Sequence, residues 1–302
     1  HPEQRPHRPL AVPQAHRAVA RNHAAVVDLL GVVDRRRLPE LPHLRRELRI
    51  PRLHEDVDAA GVLEDVFTRR GLNVRSRSRA VAARRVDNSV IVTLDDSSTL
   101  QGSHVLMAVG SLPNTDDLGL ETAGVSTDSH GFITVDRVSR TSARHIYAAG
   151  DCTGVNMLAS VAAMQGRIAM YHALGDAVAP LESTAISSTI FTAPEIATVG
   201  LQQADLDDES FRGTSVLLPL RTKARVKMHG HRDGFVNLFA RKGSQIVAGG
   251  VVVAPNASEL IHSLTLAVDN RLTVDQLAQA FTVHPGLSGS VAEAARRMHA
   301  TQ

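Results

Sequence analysis

Asp151 ends the run IYAAGD, in which Gly150 removes a side chain just before a carboxylate. Residues 145–149 predict a short buried strand, and a glycine at its carboxyl end lets a bulky ligand come close to the backbone. Ligands of open α/β sheets sit outside the carboxyl ends of strands, where a carboxylate accepts a hydrogen bond from a sugar-like hydroxyl. Taken alone, the same residues are also explained by a Gly-Asp loop closing an ordinary strand. A helix is expected next, over residues 156–174, with Met157, Leu158, Ala159 and Ser160 at its start. The unpaired N–H groups and dipole of such a helix start can stabilise negative charge. Leu158, Ala159, Ala162, Gln165 and Ala169 form a face of mostly small side chains, which equally suits a plain core helix.

Other reactive side chains are sparse. His229 and His231 form an HxH pair in an expected turn, but two ligands without a third nearby make a poor metal site, and no metal is expected. Cys152 is the only cysteine, so no intrachain disulfide or CxxC centre can form, and a reducing cytoplasm is the expected location. Its residue type fits a small buried packing group better than a reactive thiol. A formal charge of +2 does not argue for nucleic acid, and the apolar run 246–255 is far shorter than a membrane span. With 302 residues, 43% of them hydrophobic, the chain can bury one large core or two modest ones.

Residues 1–52 differ in texture from the rest. They lack Ser, Thr, Lys, Phe, Tyr, Cys and Met, and they carry seven of the thirteen Pro and eleven Arg against five acidic residues. Three readings stand for this segment. It is a basic arm, although no aromatic residue is interleaved for base stacking; or a solvated, disordered tail; or a stretch outside the frame that selection shaped, or the chain is a fragment. Position 1 is His and the first Met is Met107.

Ordinary protein texture begins near residue 53. Residues 53–74 predict a helix with Val57, Ala60, Val62, Leu63, Val66 and Phe67 on its inner side and Gly71 as its C-cap. Strands are expected over 74–81, 89–94 and 105–109, with a turn at 95–98. Beyond residue 185, strands are expected over 215–220, 234–240 and 246–253, and a helix over 256–270 with Leu260, Ile261, Leu264, Ala267 and Val268 at helical spacing. Two capping boxes are expected to start helices, Thr273 with Gln276 and Ser290 with Glu293.

Three passages resemble one family in order and spacing. VLMAVGSLPNTDDLGL (105–120) is similar to the passage that closes the nicotinamide-nucleotide domain of the pyridine nucleotide-disulfide oxidoreductases, with Ser111 where that family usually has Arg. ITVDRVSRTSARHIYAAGDCTG (133–154) resembles its flavin-contacting segment, and STIFTAPEIATVG (188–200) resembles the start of its interface domain. The resemblance covers about residues 53–302. It implies an α/β plus α+β architecture: the C-terminal part of a nicotinamide-nucleotide domain over 53–130, the returning segment of a FAD domain over 131–184, and a dimerisation domain over 185–302 that makes a homodimer. It further implies FAD and NAD(P)H as cofactors. Asp151 would hold the ribityl chain, Met157, Leu158, Ala159 and Ser160 would face the flavin ring, and Gly110 and Ala80 would line the nucleotide site. The small-molecule electron acceptor would be quinone-like.

His284 with Pro285 falls where the family's disulfide reductases carry a catalytic His, but the Thr and Glu positions of that motif are Gly286 and Gly289 here. Nothing in the sequence orients the imidazole. HPGLSGSVAEAARRM instead resembles the actinobacterial NAD(P)H quinone reductase branch, which lacks the dithiol machinery. No G-x-G-x-x-G turn occurs anywhere in the chain, although a dinucleotide pyrophosphate needs one. The expectation is therefore weak FAD binding or none by these 302 residues alone. A non-catalytic chain that self-associates through residues 185–302 remains the alternative.

Overall fold

The structure is a computed structural model that describes residues 29–33, 46–48, 56–76, 78–108, 110–207 and 211–300. Two compact units emerge, one containing residues 64–111 and the other containing residues 112–302. Two pieces of the Arg-rich N-terminal stretch are described, and both are strands: β1 (Leu29–Val33) and β2 (Arg46–Leu48). The rest of the readings made for residues 1–52 lie outside the described residues.

Helix α1 (Val57–Arg69) is started by Asp56, whose Oδ1 accepts from the backbone N–H groups of Asp58 and Ala59 at 3.0 and 3.1 Å. This cap sets the helix phase so that Ala59, Ala60, Leu63 and Val66 are buried, whereas Val57, expected inside, is 66% exposed in the first turn. The helix ends as the sequence predicts: Gly71 has φ +82°, and Leu72 N–H bonds back to the Phe67 carbonyl at 3.0 Å.

In the first unit, β1 pairs antiparallel with β2 and with β7 (His104–Ala108), and β2 pairs parallel with β3 (Asn73–Val74). A separate meander joins β4 (Ala80–Val86), β5 (Ser89–Leu94) and β6 (Thr99–Gly102), closing over Val92, Leu94 and Leu100. The single strand expected over 74–81 is thus two. The chain between them folds onto the next turn, where Arg79 N–H donates to the Asp95 carboxylate (3.0 Å) and Asp95 N–H to the Arg79 carbonyl (2.8 Å). Strand β6 lies between the expected turn at 95–98 and the expected strand at 105–109, where the sequence reading placed no element.

The second unit carries helix α2 (Ala159–Ala173) and a five-stranded antiparallel sheet. The sheet has the order β10 (Gly213–Pro219), β11 (Phe235–Arg241), β12 (Val247–Ala254), β9 (Glu195–Gly200), β8 (Ser187–Ile190). Two short helices, α3 (Gln203–Asp207) and α4 (Ala224–Met228), lie in its connections. Alternate residues of the sheet, Ala197, Val199, Leu218, Val236, Leu238, Val252 and Ala254, form one core with α5 (Ala257–Asp269), α6 (Val274–Gln279) and α7 (Gly289–Ala300). Strand β12 is buried along its whole length, as a central strand should be. Gly250 lets α5 sit close, because a Cβ there would lie 2.6 Å from Leu264 Cδ1.

The Thr273 and Gln276 capping box is present, with Gln276 N–H to Thr273 Oγ1 at 3.3 Å and Thr273 N–H to Gln276 Oε1 at 2.8 Å. The second expected box is not. Helix α7 begins at Gly289, so Ser290 lies inside its first turn with Oγ buried and without a partner, and Glu293 instead pairs with Lys223, Arg296 and Arg297.

Candidate functional site

The segment carrying Asp151 is held by local polar contacts, without a regular strand. Thr141 is buried, and its hydroxyl donates to the carbonyls of Ile146 (2.9 Å) and Ala143 (3.1 Å). Residues 145–149, expected as a buried strand, make only an isolated bridge of Tyr147 with Arg140. The backbone donor that would extend a ladder is taken elsewhere: Gly150 N–H is 2.8 Å from Gln165 Oε1 on α2. Thr153 Oγ1 donates to the Gly150 carbonyl (2.8 Å) and accepts from Gln165 Nε2 (3.2 Å). Gln165 is 1% exposed, so these bonds form out of water, where leaving any of them unmade is costly.

Gly150 has φ +90°, and a Cβ on it would come within 3.3 Å of Ala162 Cβ, so the turn lies directly against the first turns of α2. Asp151 then opens a single 3-10 turn (Asp151–Thr153), exposed, with no hydrogen bond or ion pair to its carboxylate among the described residues. Helix α2 starts at Leu158 without a side-chain cap, and Ala159 and Ser160 are exposed while Met157 and Leu158 are half-buried. The structure therefore brings together a free carboxylate, a glycine surface and an uncapped helix start. A polyhydroxyl chain can donate to the carboxylate, and the first-turn N–H groups can meet a carbonyl that gains negative charge. These residues fit the ring and ribityl end of a flavin. Thr153 is the position that sequence reasoning passes over, and Gln165 reads there only as part of a packing face. The available signal was a polar amide repeating with alanines on an otherwise apolar helix face.

Gly110 (φ +103°, exposed) follows β7, and Ala80 opens β4; both belong to the first unit and can offer backbone only. His284 is exposed and no described residue hydrogen-bonds its ring. The turn after it leaves no room for a threonine-like residue, since a Cβ on Gly286 would lie 2.6 Å from the Val283 carbonyl oxygen. The rings of His229 and His231 lie 6.0 Å apart, and no group of three His, Cys, Asp or Glu side chains gathers among the described residues. Cys152 is half-buried, with Sγ 3.5 Å from the Ala149 carbonyl. Among the described residues no helix is long and apolar enough to cross a membrane.

Known proteins resemble this chain in sequence and fold. Residues 43–166 match the family described as pyridine nucleotide-disulphide oxidoreductase, and residues 186–295 match its dimerisation domain. The chain is 54% identical over 247 residues to a Mycobacterium tuberculosis protein named NAD(P)H dehydrogenase (quinone), covering 82% of this chain and 50% of that protein. It is 36% identical over 243 residues to dihydrolipoyl dehydrogenase of Haloferax volcanii, covering 79% of this chain and 51% of the relative. The crystal structure of LpdA from Mycobacterium tuberculosis superposes with a TM-score of 0.77 at 54% identity, over 81% of this chain and 53% of that one. The chain thus spans about half the length of the curated relatives it matches, and the family they represent uses FAD and NAD(P)H. By both of its matched domains, the chain belongs to the pyridine nucleotide-disulphide oxidoreductases.

Proposed function

We propose that this chain forms the ribityl and ring end of a flavin site in a FAD-dependent NAD(P)H dehydrogenase that reduces a quinone-like acceptor. The observation that carries the reading is the exposed, unpartnered Asp151 carboxylate, fixed by the Gly150, Thr153 and Gln165 bonds beside an uncapped helix start. The name of the Mycobacterium tuberculosis relative, NAD(P)H dehydrogenase (quinone), supports the reaction class. Bound FAD would supply hydride acceptance from NAD(P)H and onward transfer. Asp151 accepts hydrogen bonds from ribityl hydroxyls, and Met157, Leu158, Ala159 and Ser160 present the helix start to the ring's developing negative charge. Gly110 and Ala80 offer backbone at the nucleotide side. His284 is exposed with no described residue orienting its ring, which favours a diffusible acceptor over a disulfide. Self-association through residues 185–302 as a homodimer, in a reducing cytoplasm, belongs to the same reading.

The test is flavin uptake by the full chain. Equilibrium titration of FAD should show weak, saturable binding as a change in flavin fluorescence, and Asp151→Ala should weaken it several-fold without changing the folded far-ultraviolet spectrum. No saturable change at any FAD concentration overturns the enzyme reading. It would leave the second reading, a non-catalytic self-associating chain, which the large continuous core of the sheet with α5, α6 and α7 favours.

A further inference from the structure

A pocket of about 190 Å³ opens between the segment leading into α4 and the start of α7, lined by Lys223, Arg225, Thr282, His284, Ser290, Glu293 and Arg296 among others. Its charge is unbalanced. Glu293 is the single carboxylate in the lining, and it is already shared by Lys223 (3.8 Å), Arg296 (3.2 Å) and Arg297 (3.4 Å). Arg225 is half-buried, and its guanidinium has no hydrogen bond or ion pair among the described residues. Three cationic side chains against one carboxylate leave a formal excess of two positive charges in a partly desolvated recess.

Two further features point the same way. Ser290 lines the pocket at 2% exposure, and its Oγ has no hydrogen-bond partner, a state that costs free energy unless a ligand or a rearrangement satisfies it. Gly289 and Ser290 are the first residues of the 12-residue helix α7, so the positive end of its dipole faces the same space. Burial holds the Lys223 ammonium below the usual lysine range, and the neighbouring Arg297 and Arg296 charges add to that against the pull of Glu293. An arriving anion would relieve this crowding.

We propose that this pocket binds a phosphate group, either the free ion or the phosphomonoester of a small metabolite, through Arg225, Lys223 and Arg296 with Thr282 and Ser290 as hydroxyl partners. A phosphate dianion matches the excess charge and presents oxygens in several directions, as the forked guanidinium and the scattered donors require. The site includes the candidate catalytic His284 but none of the residues assigned to the flavin, and it does not depend on the flavin reading.

Calorimetric titration of the full chain with inorganic phosphate tests it, with glycerol 3-phosphate and succinate as further probes. Saturable phosphate binding is expected, weakened about tenfold or more by Arg225→Gln and by Lys223→Gln, each worth a charge-assisted contact. Arg225→Lys should retain part of the affinity, and Arg221→Gln, an exposed arginine outside the lining, should leave it unchanged. Tighter binding of glycerol 3-phosphate than of phosphate identifies a phosphorylated metabolite, and equal binding identifies the free ion. No saturable binding, succinate binding more tightly than phosphate, or unchanged affinity in both the Arg225→Gln and Lys223→Gln proteins overturns the proposal. Thermal unfolding of each variant confirms that the binding was measured on folded protein.

Discussion

Gln165 shows how a single buried amide can set the geometry of a whole turn. It accepts from Gly150 N–H and donates to Thr153, and neither partner has a described substitute. Gln165→Leu should therefore destabilise the second unit by about 1–3 kcal/mol, the cost of orphaning buried polar groups. Chemical denaturation measures the loss, and flavin uptake should fall with it if Asp151 is mispositioned. Asp56 offers a second test at this scale. Burial raises its carboxyl above the ordinary value, opposed by the Ala59 and Asp58 backbone hydrogen bonds, with the nearby Asp58 charge adding to the rise. An acid whose pKa is raised by folding binds its proton more tightly in the folded state. Its stabilising effect is present while protonated and is lost as pH rises from the ordinary carboxylate value through the raised one. Asp56→Asn keeps an oxygen to cap α1 and removes the ionisation, so its stability relative to the parent chain should increase with pH across that interval. A difference independent of pH would contradict the assignment.

At the scale of elements, local signals located helices and central strands better than the loops between them. The helical spacing of Leu260, Ile261, Leu264, Ala267 and Val268 and the Thr273 box correspond to α5 and α6, because each depends on residues within one or two turns of each other. Strand 89–94 coincides with β5 for the same reason. The expected strand at 145–149 failed through a partner distant in sequence, since Gln165 draws Gly150 away, whereas the false box at Ser290 failed locally: α7 begins at Gly289 and Glu293 pairs most closely with Arg296 and Arg297. Thr273→Ala should lower stability by about 1 kcal/mol, the usual cost of losing a cap, while Ser290→Ala should cost less or even stabilise, since its Oγ makes no bond. Parallel urea titrations of the two proteins compare them directly.

For the whole molecule, the dimerisation domain holds the largest packed core among the described residues. Leu218, Leu238 and Leu264 are fully buried in one core that spans four strands and four helices. Large apolar side chains nevertheless stay in solvent on this domain, with Phe281 fully exposed and Phe191 79% exposed. Such side chains are expected to be covered in the proposed homodimer. Phe281→Asp should shift the chain to a smaller species in sedimentation velocity while its circular dichroism is unchanged. A wild-type chain that already sediments as a monomer at tens of micromolar would contradict the homodimer.

The sequence by itself determined the family and its order of passages, the positions of Asp151 and the α2 start, and the helical and strand periodicity of the dimerisation domain. These rest on residue type and spacing, which survive without coordinates. Only the tertiary structure decided that Gly150 is anchored to Gln165, that Ser290 caps nothing, that Gly286 admits no side chain, and that Lys223, Arg296 and Arg297 share one carboxylate. Each of these depends on which distant group fills a hydrogen bond or a volume, and that competition is settled only when the chain has packed.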